Sequence, residues 1–240
     1  MTFAAVLAIV AFLAGAINAV AGFGIGSILT PLFALGIGVR LGVAAASIPH
    51  FAGNVVRFWT LRQQVDRGVL KTFGLMSAAG ALFGALLHAV AATPTLKLVL
   101  AIVLIVTGAL GAAGWTDRLR VGQRGASLAG AASGFLGGLV GYQGGLRAAA
   151  MLALDVRKEV FVATAVAIAI VVDGARLPVY AFSSGGGLMR IWALLVVAVV
   201  SVSAGTLLGR RLLGRLPESL FRRTVGAFIM ALGVAMLVAR

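Results

Sequence analysis

The first 39 residues, Met1–Val39, contain no Asp, Glu, Lys or Arg. A soluble domain cannot hide so long an apolar stretch and still present a charged surface. One bilayer crossing takes about 20 residues, so the stretch is also too long for a single span. It carries its own break, Gly22-Phe23-Gly24-Ile25-Gly26. Apolar runs at or near span length follow at Leu41–Leu61, Val69–Ala92, Leu98–Trp115, Val160–Phe182, Ile191–Gly209 and Thr224–Ala239. A second long run, Ala126–Leu154, is broken at Gly141-Tyr142-Gln143-Gly144-Gly145, and Arg147 follows that break. With 61% hydrophobic and 11% charged residues, the expected fold is an all-α integral membrane protein. The short alternating segments of a membrane β-barrel are missing from the pattern.

The net charge of +14 does not point to nucleic acid, because the basic residues are not on a soluble face. They lie in short loops between apolar runs: Arg62, Arg67 and Lys71; Arg118, Arg120 and Arg124; and the segment Arg210–Arg223. Such loops mark the cytoplasmic side of a membrane. The chain has no cysteine and only two histidines, so neither a thiolate site nor a His-based metal cluster is expected, and no cofactor is implied. The apolar N-terminus lacks a basic leader and a cleavage signature and is read as retained.

The two halves, 1–115 and 116–240, read as an internal repeat. At an offset of 119 residues Gly15, Gly22 and Gly26 meet Gly134, Gly141 and Gly145, while Asn54 and Arg57 meet Asp173 and Arg176. At an offset of 125, Gly80, Gly84 and Gly108 meet Gly205, Gly209 and Gly233. The offset changes near Ser183–Gly187, which reads as an uncharged loop after the span Val160–Phe182. If the three basic loops share one face, each broken segment must enter and leave on the same side, as a helical hairpin. Each half is then a hairpin plus three spans, about eight helices in all. The second half is inverted relative to the first, with both termini on the non-cytoplasmic face.

The glycine breaks are the leading site candidates. Freed backbone groups in a hydrocarbon layer are tolerated only where they are buried or line a cavity, and helix N-termini there suit an anion. Paired breaks in inverted halves converge on one central site. The alternative is close packing through small residues, which suits Gly80-x-x-x-Gly84 and Gly205-x-x-x-Gly209 better. Asn54/Arg57 and Asp173/Arg176 are spaced i, i+3 and share a helix face. Asp173 is an ionisable group within a span, a functional candidate by default. Arg57 and Arg176 suit anion binding, and Arg57 also suits snorkelling. His50, next to Pro49 in mid-span, is a candidate proton carrier or a hydrogen-bonded core histidine. His88 lies near a span end and reads as interfacial; Trp59, Trp115 and Trp192 read as belt residues.

Asn18-Ala-Val-Ala-Gly-Phe-Gly-Ile-Gly, followed by Pro31, resembles the first glycine-rich motif of the sulfite exporter TauE/SafE family. Gly134-Phe-Leu-Gly-Gly-Leu-Val-Gly-Tyr-Gln-Gly-Gly resembles its second, and Gln64-Val-Asp66-Arg a polar turn frequent there. The resemblance covers essentially the whole chain. It implies a bacterial inner-membrane transporter for small sulfur-containing anions such as sulfite or organosulfonates. This chain departs from the pattern at the first break, where a further glycine is typical, and at Tyr142-Gln143, where Phe-Gly is typical. Gln143 thereby adds a hydrogen-bonding side chain.

The resulting expectation is a secondary transporter, not an enzyme. Its partners are a small anionic substrate and the lipid bilayer, with no nucleic acid; a homodimer is left open. Substrate contacts are expected from Asn18, Gly22, Phe23, Gly24 and Gly26 at the first break, and from Gly141, Tyr142, Gln143, Gly144 and Gly145 at the second. Asn54, Arg57 and Arg176 complete the binding set; His50 and Asp173 are the proton-coupling candidates. The rivals are a passive anion channel, a membrane scaffold or accessory subunit, and an intramembrane enzyme. The last would need a nucleophile or metal constellation that the sequence lacks.

Overall fold

The computed structural model describes residues 2–21, 24–113, 123–144, 147, 151, 158–213 and 218–238. These form helices, with no strand among them. The first half has α1 (Phe3–Ala21), α2 (Ile25–Ile37) and α3 (Val39–Leu61). A 3-10 turn at Arg62–Gln64, a helical turn at Arg67–Val69 and a π-helical turn at Leu70–Gly74 lead into α4 (Leu75–Val90), which precedes α5 (Thr93–Ala112). The second half contains α6 (Gln123–Val140), α7 (Lys158–Arg190), α8 (Trp192–Leu213) and α9 (Glu218–Val238). Asp66, in the polar turn, accepts a hydrogen bond from the Val69 N–H at 3.0 Å and so starts the helical entry to α4.

Among the described residues, five helical segments are long and apolar enough to cross a membrane: Phe3–Val20, Arg67–Val90, Thr93–Ala112, Glu159–Arg190 and Trp192–Gly209. Ile25–Ile37, Ser127–Val140 and Arg223–Val238 are shorter apolar helices. α3 has 23 residues, enough length for a crossing, but it buries Ser47, His50, Asn54 and Arg57 among its apolar residues. Large apolar side chains lie on the surface, and charged ones are buried among the apolar clusters of the interior. Phe182 and Val90 are 93% and 78% exposed, whereas Asp173 and Arg176 are 0% and 1% exposed. That distribution suits a lipid surround, since water rewards the reverse.

Cross-half helix pairs hold the bundle together. α1 packs along α8, α6 along α4, and α5 along α9, while α3 crosses α7. The same contacts recur at the offsets read from the sequence. A side chain on Gly205 would strike the Phe12 carbonyl, and one on Gly80 the carbonyl of Ala131, 119 residues beyond Phe12. Gly15 lies against Val202, and Gly134 against Ser77 in the same way. Gly108 meets Met230 and Gly226; Gly233 meets Ile105 and Ala101. These glycines permit backbone-to-backbone approach, the packing role expected of Gly80, Gly84, Gly205 and Gly209.

Two local expectations are corrected. Ser183–Gly187 is not a loop: α7 runs without interruption through it, 33 residues from Lys158 to Arg190. Glycine weakens a helix by about 1 kcal/mol per residue without breaking it, and Gly187 packs against Leu41. His88 is not interfacial but fully buried. Its Nδ1 is 2.8 Å from the Leu139 carbonyl, its Nε2 is 3.2 Å from the Arg40 carbonyl, and its ring meets Tyr180 edge-on at 5.2 Å. Position near a helix end says little about depth once α6 and the first turn of α3 cover that end.

Candidate functional site

Both expected breaks interrupt helix. Gly24, between α1 and α2, has φ 127°, and Gly141, just after α6, has φ 74°. Side chains rarely tolerate these angles, so glycine is what lets the chain turn here. Gly22 and Phe23 of the first break, and Gly145 of the second, lie outside the described residues. The breaks meet: a Cβ on Gly26 would sit 3.0 Å from the Gly141 carbonyl and 3.4 Å from the His50 ring. The Thr30 hydroxyl donates to that same carbonyl at 3.4 Å. α2 begins at Ile25 with no side-chain cap, so its first N–H groups have no partner within the helix.

Beside the breaks, α3 and α7 bring together polar residues that are distant in sequence. His50 Nδ1 lies 2.6 Å from Asp173 Oδ2. An ionised carboxylate only accepts, so this contact puts the proton on Nδ1. The other carboxylate oxygen, Oδ1, accepts from Arg176 through Nε at 2.9 Å and Nη2 at 2.7 Å. Asp173 is thus clamped between a histidine of one half and an arginine of the other. Asn54, one turn beyond His50, donates to the His50 carbonyl at 2.8 Å.

The arginines also satisfy helix ends. Arg176 Nη1 donates to the Gly137 carbonyl and the Tyr180 hydroxyl to the Gly138 carbonyl, both in the last turn of α6. Arg57 Nη1 donates to the Asn18 carbonyl, in the last turn of α1, at 2.6 Å. The Gly137 carbonyl also accepts from the Gly141 N–H at 3.0 Å, and a cation beside carbonyls at the C-terminal end of a helix is favourable. Arg57 and Arg176 therefore each hold the helix that precedes a break, at positions 119 residues apart that cap carbonyls 119 residues apart.

Several buried polar atoms have no hydrogen-bond partner among the described residues. They are Asn18 Nδ2, Gln143 Nε2 and Arg147 Nη1, all donors, and Asn54 Oδ1, an acceptor. Each parent residue is at most 3% exposed. Orphaned groups at such depth are uncommon and costly, and these lie at or beside the two breaks. Gly144 is buried at the second break. Tyr142 is buried in an apolar cluster, with Thr107 and Ser27 as side-chain hydrogen-bonding neighbours.

The structure thus brings His50, Asp173 and Arg176 into one cluster, sets Gly26 against Gly141 and His50, and ties Arg57 to Asn18. The sequence reading left Arg147 out of the site, although a charge inside an apolar run is a signal in itself. Tyr180 was also missed; nothing local marks it apart from its spacing of four from Arg176.

A bundle of apolar-faced helices around a buried, charged and partly unsatisfied centre defines a polytopic membrane protein with an internal polar site. Residues 7–236 match the family described as sulfite exporter TauE/SafE, and the chain belongs to that family, one of membrane transporters. No curated protein and no solved structure matches the chain.

Proposed function

We propose that the chain is a secondary transporter that moves small, sulfur-containing anions such as sulfite or organosulfonates across a bacterial inner membrane. The observation that carries this reading is the set of orphaned groups at the paired breaks, three donors to one acceptor. An oxyanion with several acceptor oxygens and at most one proton complements such a set. Asn18, Gln143 and Arg147, with the uncapped N-terminus of α2, would take the place of its hydration shell. The bound anion would lie in the field of Arg176, which Asp173 partly neutralises. A proton exchanged at the His50–Asp173 contact would change the charge felt by the anion, and so couple release to protonation.

The matched contacts at offsets of 119 and 125 residues support two inverted repeats meeting at the α3–α7 crossing. In this architecture the basic loops 62–71, 118–124 and 210–223 face the cytoplasm, the termini face the other side, and six spans with one hairpin per half make eight membrane segments. The buried centre suits an occluded carrier whose halves alternate access.

Reconstituted vesicles test the reading. Labelled sulfite or methanesulfonate should accumulate against its own gradient when a proton gradient is imposed; downhill flux alone would indicate a channel. Asp173→Asn keeps the side-chain shape, so the protein should still insert, while uphill flux falls at least tenfold and loses its pH dependence. Wild-type flux and pH dependence in that variant would remove Asp173 from the mechanism.

A further inference from the structure

The two breaks are not identical copies, and their difference is ordered. At the offset of 119, Asn18 corresponds to Gly137, and Gly24 corresponds to Gln143. Each half therefore carries one carboxamide and one glycine, placed in opposite order across the same interval. In the second half the Gln143 side chain lies over Gly137: a Cβ on Gly137 would be 3.1 Å from Gln143 Cβ and 3.1 Å from its Oε1. In the first half the amide is on Asn18 itself, and a side chain on Gly24 would strike Ile17, the neighbour of Asn18. Both carboxamides sit beside a carbonyl position capped by an arginine, Asn18 by Arg57 and Gly137 by Arg176. Both are buried, and both leave the –NH₂ nitrogen without a partner among the described residues.

Chance placement does not account well for two orphaned amides that each replace a glycine of the other half. We infer that Asn18 and Gln143 are equivalent ligand-binding amides, one per half, exchanged between the two ends of the break. This rests on the transport reading above and assigns one donor half-site of it to each half of the chain. The ligand must take N–H donation from two half-sites, which calls for an oxyanion with at least two acceptor oxygens. A halide lacks separate acceptor oxygens, and a cation would meet donors.

The exchange can be repeated by mutation. Gln143→Gly gives the second break the glycine found at the matching place in the first. It removes a hydrogen-bond donor to a charged ligand, so the KM for sulfite should rise about tenfold or more. Gly137→Asn alone crowds Gln143 and should also impair uptake. The double variant Gly137→Asn/Gln143→Gly relieves the crowding and returns an amide by the first half's arrangement, so its KM should fall to within about threefold of wild type. Gln143→Met and Asn18→Leu retain bulk without donors and guard against misfolding of the glycine variants; each should raise KM by a similar factor in monodisperse protein. Chloride should not compete with sulfite in wild type, whereas methanesulfonate should.

The inference is overturned if Gln143→Met or Asn18→Leu keeps wild-type KM, if chloride competes as well as methanesulfonate, or if the double variant is no better than Gln143→Gly. All three presuppose uptake by wild type. A wild-type protein that moves none of these oxyanions would sink the transport reading itself, and this inference with it.

Discussion

Asn54 and Asp173 hold corresponding places on α3 and α7, yet only one of them can ionise. The difference extends to their neighbours. Asp173 meets His50 across the crossing at 2.6 Å, while the residue 119 positions after His50 is Ala169, buried and inert. Arg57 and Arg176 are retained in both halves, and each caps the helix before its break. On α3 and α7 the shared arginines hold the backbone, and the residues that are not shared form the His50–Asp173 contact. Under the proposed repeat and the proposed proton coupling, a scaffold of near two-fold form would carry its proton at the His50–Asp173 contact, and the two directions of transport need not be equivalent in charge.

The largest expected effect is on folding. Arg176→Leu leaves the buried Asp173 with His50 alone, and breaking a buried pair from one side costs about 3–5 kcal/mol. Arg57→Leu leaves Asn54 at the matching place and should cost less. Thermal melting and yield of monodisperse protein would check this; equal losses would mean that the carboxylate is not what separates the halves. A smaller effect tests what the halves share. Gly80→Ala and Gly205→Ala each drive a methyl into a facing carbonyl, Ala131 or Phe12, at roughly 1–3 kcal/mol for overpacking. Their melting shifts should agree; tolerance of one alone would break the correspondence. The smallest effect sharpens the contrast between α3 and the longer α7. Gly186 is helical with nothing within 4 Å of an added Cβ. Gly186→Ala should stabilise by about 1 kcal/mol, read as a rise of about 2–4 °C in Tm. A loss would mean that a conformation other than helix matters at this position.

Much of this was legible in the sequence. The uncharged runs announced a membrane bundle, and the breaks fell where Gly24 and Gly141 take positive φ. The i, i+3 spacing anticipated the contact of Asp173 with Arg176, because helical geometry fixes it. The contact between His50 and Asp173 was not legible, since 123 residues separate them and only the crossing of α3 and α7 joins them. His88 was misplaced because burial depends on what covers a helix end. Ser183–Gly187 was misread because weak helix formers were taken as breakers, although neither proline nor a positive φ interrupts the helix there.

The glycine seams have a mechanical consequence. α1 is pressed backbone to backbone onto α8, and α6 onto α4, at Gly15, Gly205, Gly134 and Gly80. Surfaces this close resist sliding, because no long side chains lie between them to flex. Each seam joins a helix from before residue 115 to one from after it. The stiff bodies of the molecule therefore do not coincide with the two stretches of chain that encode them. If the protein rocks, the α1–α8 and α4–α6 plates move as composite blades against the α3–α7 axle. On the α4–α6 side the joint then lies in the connection from α3 to α4, which holds Arg62–Gln64 and the π-helical turn Leu70–Gly74.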